Sequence, residues 1–180
     1  MTSAIWWIRR DLRLTDNQAL CGALDHGDQV LPVFILDQKL LASPYGGPKR
    51  LAFLLQGLRV LDTDLRERGS RLIILRGRPI RELAALVAES SADAVFAEED
   101  YSPYAQRRDS QVRGSFPLEF FGGPTLRHPM AIRKGNGQPY TVFTPFSRAW
   151  KAFPLPSKKV ILAKPNRIST PGNLEHIPPV

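Results

Sequence analysis

The sequence predicts an α/β fold: a Rossmann-like three-layer sandwich, with a five-stranded parallel sheet flanked by helices. Three observations lead there. Short apolar runs alternate with helical patterns as far as Phe121. The segments between successive apolar runs are long enough for crossovers rather than hairpins. A long leucine stripe gives one helix an apolar face for covering a sheet.

The elements follow in order. Ile5–Ile8 is a short apolar strand. Thr15 or Asp16 can cap a helix through Ala23. Gln29–Leu36 is the next apolar run, ending at Asp37, and Pro32 weakens it slightly as a central strand. The breakers of SPYGGP follow, and Pro48 suits the first turn of a helix. Leu51, Leu54, Leu55, Leu58, Leu61 and Leu65 then fall on one helical face, closed by Gly69. Arg71–Gly77 is the third strand, Pro79–Ser90 a helix, and Asp93–Asp100 the fourth strand with acids at its end. Pro103–Val112 is expected to be helical and Leu118–Phe121 to be the fifth strand.

After Gly123 the pattern changes. RKGNGQPYTVF reads as a turn between two short extended pieces, and Thr144–Phe153 as a small helix capped by Thr144. From Pro154 the chain holds six prolines in 27 residues and no apolar periodicity, as a linker or tail would.

Composition narrows the function classes. Apolar content of 43% and charged content of 23% are those of a globular domain. The single cysteine, Cys21, excludes a disulfide within the chain and a zinc site built from thiolates. The N-terminus lacks a signal-peptide pattern, and no apolar run approaches the ~20 residues that span a bilayer. A cytoplasmic protein is the expectation, with no membrane partner. The net charge of +8 is uneven: residues 1–119 balance, and Phe120–Leu174 contains no acid. That stretch holds Arg127, Arg133, Lys134, Arg148, Lys151, Lys158, Lys159, Lys164 and Arg167. Such a region can face nucleic acid, an acidic partner domain, or simply solvent.

No enzyme constellation is present in the sequence. His26, His128 and His176 lack metal-ligand spacing, and there is no P-loop, nucleophile elbow or G-x-G-x-x-G. Ligands of parallel sheets bind outside the carboxyl ends of the strands. That edge collects the glycine-free opening loop Arg9–Arg13, Asp37, Gly77 and the segment Glu98–Tyr104. Glu98, Glu99 and Asp100 can be read simply as a solvated strand end. Phe34, Leu36, Leu40 and Phe53 could supply apolar walls to a ligand there, though core packing explains any one of them alone. Asp37, Arg50 and Asp100 are suitably typed to orient it.

RRDLRLTDN directly after the first strand resembles the N-terminal signature of the DNA photolyase/cryptochrome family. DYSPYAQRRD resembles that family's segment after the fourth strand, and GNGQPYTVFTPFSRAW the end of its first domain. The resemblance covers residues 1–153 and implies the α/β antenna domain, with 154–180 as a basic, proline-rich linker toward an FAD domain beyond these 180 residues. In the family that helical domain holds FAD, carries the tryptophan relay and binds DNA, so Trp6, Trp7 and Trp150 are not the relay. The opening loop is then expected to lock itself, its arginines pairing with Asp11 and Asp16, or to contact the docking domain.

The resemblance also implies a choice of antenna. Folate-type members carry an Asn-Glu pair where this chain has Tyr104-Ala105, which makes methenyltetrahydrofolate the less suitable ligand. Deazaflavin-type members use an arginine on the second helix and an aspartate after the fourth strand, matched by Arg50 and Asp100. They have an acid where this chain has Ser102. The expected antenna is 8-hydroxy-5-deazaflavin or FMN, held by Phe34, Leu36, Asp37, Leu40, Arg50, Phe53, Asp100, Tyr101 and Tyr104; an empty pocket is the alternative. The implied function is light harvesting for a deoxyribodipyrimidine photolyase, this portion having no catalytic site of its own. The alternatives are a photoreceptor fragment, a nucleotide-binding or scaffolding domain of the same fold, and a basic nucleic-acid module, which too few stacking aromatics support.

Overall fold

A computed structural model describes residues 2–44, 46–123, 125–155, 157 and 161–171. Five parallel strands form one sheet: β1 (Ser3–Ile8), β2 (Gln29–Asp37), β3 (Ile73–Gly77), β4 (Ala94–Glu98) and β5 (Leu118–Phe121). The helices are α1 (Gln18–His26), α2 (Gln38–Leu41), α3 (Pro48–Arg66), α4 (Pro79–Ser90), α5 (Pro103–Arg113) and α6 (Phe143–Ala152). The strand order β3-β2-β1-β4-β5 reverses direction beside β1. Right-handed crossovers therefore put α1 and α3 on one face, α4 and α5 on the other. The expected sandwich and its five parallel strands are present.

Strand parity builds two cores. Ala4, Trp6 and Ile8 of β1 pack with α1 and with Leu58, Leu61 and Leu65 of α3. Ile5 and Trp7 pack with Leu83 and Leu86 of α4 and Val112 of α5. All six residues of β1 are buried, as a central strand covered on both faces requires. Pro32 is tolerated because β3 pairs with β2 only from Val33 onward, so its missing N–H lies outside that ladder.

Several local expectations change. The α1 cap is Asn17, not Thr15 or Asp16: its Oδ1 accepts from the Leu20 amide at 2.8 Å. The helix continues past Ala23 to His26. Asp16 instead sits at φ +57°, in the left-handed region that Asp tolerates. The third strand starts at Ile73, because the Leu72 amide is donated to Asp62 Oδ1 at 2.8 Å. The fourth ends at Glu98. A short helix, α2, follows β2 directly. The helix α6 begins at Phe143 behind Val142, without a side-chain cap from Thr144. The expected turn forms at Lys134–Gln138, with Gly137 at φ +78°, but no strands flank it.

Within the proline-rich stretch, 161–171 runs along the α1/α3 side of the domain. Asp16 and Leu162 exchange bonds at 2.9 and 3.4 Å, the Ile168 amide is donated to Arg68 O at 2.9 Å, and the Val30 amide to Ser169 O at 2.8 Å. Ile168 is completely buried in the α1/α3 core. His176, Lys158 and Lys159 lie outside the described residues. Among the described residues no helix is long and apolar enough to cross a membrane, and no His/Cys/Asp/Glu group could hold a metal ion.

Candidate functional site

The carboxyl edge is built from the segments at the strand ends. After β1, Asp11 organises the glycine-free loop. It is buried and accepts from the Arg13 amide at 3.0 Å and from the Arg13 guanidinium at 2.7–3.0 Å. Leu12 then packs under α3, where a Cβ on Gly57 would lie 2.8 Å from its Cδ1. The loop locks itself through Asp11, as expected. Asp16 makes no ion pair with the loop arginines among the described residues; it is tied to Leu162, and only its charge acts on Arg13.

Arg9 turns inward. Its side chain is 5% exposed and reaches Asp109 of α5 at 2.6 Å, while Arg108 Nε meets the other Asp109 oxygen at 2.8 Å. Both guanidinium groups lie over the Trp7 ring, at 5.0 and 4.8 Å. Burial pulls Arg9 below its usual range, and the Asp109 charge works against that pull. Two cations thus share one buried carboxylate on an indole face.

The acids after β4 have three different fates. Glu98 is buried, not solvated, because it continues the parity of Ala94 and Phe96. Burial, then the nearby Asp11 charge, pushes its carboxyl up to about 7, against Arg13 and Arg9. Glu99 meets His128 at 3.4 Å. Asp100 accepts from the Ser102 amide at 3.0 Å and faces Arg10 at 3.6 Å. Burial pushes Asp100 upward, but Ser102 and Arg10 prevail and hold it below the usual carboxylate range. Ser102 itself caps α5, accepting from the Ala105 amide at 3.3 Å.

The structure joins some of the expected site residues and separates others. Asp37 caps α2 through the Lys39 amide at 3.0 Å and accepts the Tyr104 hydroxyl. Burial, then Asp37, pushes that phenol up to about 12. Phe34 is 6% exposed and belongs to the α1/α3 core, with Leu36 packed against it. Leu40 is 48% and Phe53 83% exposed, and Arg50 is exposed on the first turn of α3. Tyr101 packs edge-on to His128 at 4.9 Å. The leucine stripe is likewise divided: Leu58, Leu61 and Leu65 are buried, while Leu51 is exposed. Glu98, Arg9, Arg108 and Asp109 are buried ionic groups that sequence reasoning missed. For Glu98 the signal was there, in the period-two pattern of β4.

Comparison with known proteins places this arrangement. Residues 4–165 match the family model described as DNA photolyase. A deoxyribodipyrimidine photo-lyase of Synechococcus sp. is 33% identical over 180 residues, covering 97% of this chain and 35% of that protein. One from Agrobacterium fabrum is 35% identical over 150 residues, covering 81% and 31%. The crystal structure of a class III photolyase from Agrobacterium tumefaciens superposes with a TM-score of 0.85 at 30% identity, over 95% of this chain and 36% of that one. A Sulfolobus tokodaii photolyase, described with two FAD molecules and an implied novel light-harvesting cofactor, gives 0.81 at 26% identity, over 94% and 39%. The chain thus spans about a third of the length of these relatives. With three motifs in order, the strand order and this breadth of match, the chain belongs to the DNA photolyase family and carries its N-terminal α/β domain.

Proposed function

We propose that these residues form the light-harvesting domain of a deoxyribodipyrimidine photolyase that acts in light-driven DNA repair. The observation that carries the reading is the uncovered carboxyl edge. Phe53, Leu40 and Leu51 stand exposed there beside the half-buried Leu54 and Leu55, on a fold otherwise covered on both faces. Exposed apolar side chains near such an edge suit a planar ligand and a docking domain. A photolyase's helical FAD domain is the partner of that edge, and DNA is bound through it.

By residue type the chain suits a flavin-like antenna, 8-hydroxy-5-deazaflavin or FMN, while Asp100 also lines a groove with Glu99, Gln106 and Arg113 on the α5/β5 side. Leu36, Leu40 and Phe53 offer apolar wall, and the Arg50 guanidinium can donate to a ring carbonyl or phosphate. Asp100, held ionised, can accept from a hydroxyl, and the N-terminal turn of α5 is already closed by Ser102. Phe34 supports the wall from the core. Tyr104 and Asp37 fix each other at the far side of the edge and leave no Asn-Glu pair for a folate. When bound, the antenna supplies near-ultraviolet or blue absorption; the chain's own residues would orient it.

Absorption spectra of the chain after loading with each candidate test this. Deazaflavin or FMN should be retained, and Arg50→Ala should weaken retention by about tenfold or more, the worth of one charge-assisted donor. Retention of methenyltetrahydrofolate alone would overturn the antenna assignment. Dimer-containing DNA irradiated with this chain and reduced FAD should stay unrepaired; repair would show a catalytic site within these residues. A cryptochrome parent is the second reading, favoured by 36% identity to the Cryptochrome-1 of Spalax judaei over 62% of this chain.

A further inference from the structure

A groove of roughly 760 Å³ opens on the α4/α5 side of the carboxyl edge, away from Arg50 and Phe53. Three elements converge on it. The loop after β2 brings Asp37 and Lys39, the start of α4 brings Arg78, and α5 brings Tyr104, Arg107 and Arg108. On α5 these residues are three and four positions apart, which places them on one helical face. The lining therefore holds four cations and one carboxylate. That carboxylate is engaged already, by the Tyr104 hydroxyl and the Lys39 amide.

Three of the four cations are not neutralised within the described residues of the domain. Among the described residues, none of Lys39, Arg78 and Arg107 takes part in an ion pair. Arg108 is 10% exposed, and its Nε is committed to Asp109, yet its Nη2 is buried without a hydrogen-bond partner. Lys39 and Arg108 flank the Tyr104 ring at 5.7 and 5.9 Å, so an aromatic wall stands among the charges. The N-terminus of the 12-residue α4 also meets the groove: Arg78, its N-cap, and Pro79 both line it. Glu82, in the same first turn, is packed against Gly77 and does not line the groove.

A bound anion would gain from the four cations that line one groove. Guanidinium forks match phosphate oxygens in pairs. A diphosphate carries more charge and spreads its oxygens over a longer span than a single phosphate, which suits cations carried on three separate elements. The volume is that of a small-ligand site, and the charges cluster rather than track a strand as a nucleic-acid channel would. We propose that this groove binds the diphosphate of a small ligand of the nucleoside diphosphate class. The groove takes Asp37 and Tyr104 from the residues expected to hold the antenna but none of Arg50, Phe53 and Asp100, and its test does not depend on the antenna reading.

Calorimetric titration of the 180-residue chain at low ionic strength, with inorganic pyrophosphate and with ADP, tests the proposal. Both should bind saturably at one site, and inorganic phosphate much more weakly. Arg78→Gln and Arg107→Gln should each weaken ADP binding by about tenfold or more while circular dichroism stays unchanged. Lys151→Gln, an exposed cation on α6, should leave it unaltered. Flat titrations with both ligands would overturn the site. An equal loss in Lys151→Gln would reduce the binding to general charge. A short single-stranded oligonucleotide that displaces ADP and binds more tightly through Arg78 and Arg107 would overturn the ligand class in favour of nucleic acid.

Discussion

Arg9 and Asp109 lie a hundred residues apart in sequence and 2.6 Å apart in space, both almost fully buried. Their contact ties the loop after β1 to α5 across the point where the strand order reverses. It answers why Arg9 stands in that loop. Photochemistry or phosphate binding is not needed to explain Arg9, because its charge is used inside the domain. Arg10 and Arg13, by contrast, keep most of their side chains in solvent, at 67% and 55% exposure.

The pair is unequal, because Arg108 also holds Asp109. Asp109→Ala leaves two buried guanidinium groups facing each other without a carboxylate. It should cost about 3–5 kcal/mol, the usual penalty for an orphaned buried charge. Arg9→Met keeps Asp109 paired with Arg108 and keeps the stem on Trp7 and Phe120, so its cost should be about 1–2 kcal/mol. Urea denaturation of both variants measures the order. Equal losses would show that Arg108 does not sustain the carboxylate.

Glu98 gives the domain a pH dependence of definite sign. Its carboxyl is raised from 4.5 to about 7, by burial first and by Asp11 second. Below the unfolded value both states are protonated and the residue costs nothing. As the pH rises from 4.5 through 7 the folded state must release a proton it holds more tightly, and stability falls by roughly 3 kcal/mol. Glu98→Gln does not titrate. The stability difference between wild type and this variant should therefore shift in favour of the variant between about pH 4.5 and pH 8. A difference that stays flat with pH would mean that Glu98 is ionised at low pH like an exposed acid.

Gly22 of α1 faces the ring of Phe121, and a Cβ there would lie 2.7 Å from Cε2. An alanine normally gains about 1 kcal/mol over glycine in a helix. Here the overpacking should outweigh that gain, with a net loss of about 1–2 kcal/mol for Gly22→Ala. Adding Phe121→Leu should recover most of the loss, since the edge strand β5 then no longer has to move. Thermal denaturation of the single and double variants reads the coupling. A Gly22→Ala chain as stable as wild type would show that the ring is displaced without cost.

How far the sequence reveals the structure depends on the range of the forces involved. Elements fixed by local periodicity, such as the Leu58–Leu65 half of the stripe and the apolar strands, are legible because packing follows from pattern. The cap of α1 is less so: Thr15, Asp16 and Asn17 all carry a suitable oxygen, and only the geometry of the turn selects Asn17. The buried pair Arg9–Asp109 is set by a contact between distant segments, and nothing near either residue signals it. For the proposed antenna site, residue types point to one edge of the sheet, but not to which side chains there are covered. Phe34 is core and Phe53 is open, though both are phenylalanines near the same strand end.

Ile168 shows the same limit and supplies the last prediction. In sequence it is one apolar residue among prolines and polar groups, without a periodic neighbour. In space it is fully enclosed by the α1/α3 core, and its surroundings are strongly bonded. Thr170 Oγ1 lies 2.5 Å from Ser70 Oγ and 3.1 Å from Val30 O, and Lys164 lies 3.8 Å from Asp64. The segment thus completes the cover of one sheet face and is not a passive tether over this span. Ile168→Ala removes three carbons from a close-packed site and should cost about 2–4 kcal/mol. Lys164→Ala breaks only a half-exposed ion pair and should cost under about 1 kcal/mol. Hydrogen exchange distinguishes a local from a global effect: in Ile168→Ala the Val30 and Ile168 amides should lose protection together with those of α3. Loss confined to 161–171, with α3 unaffected, would mean that the segment rests on a core already complete without it.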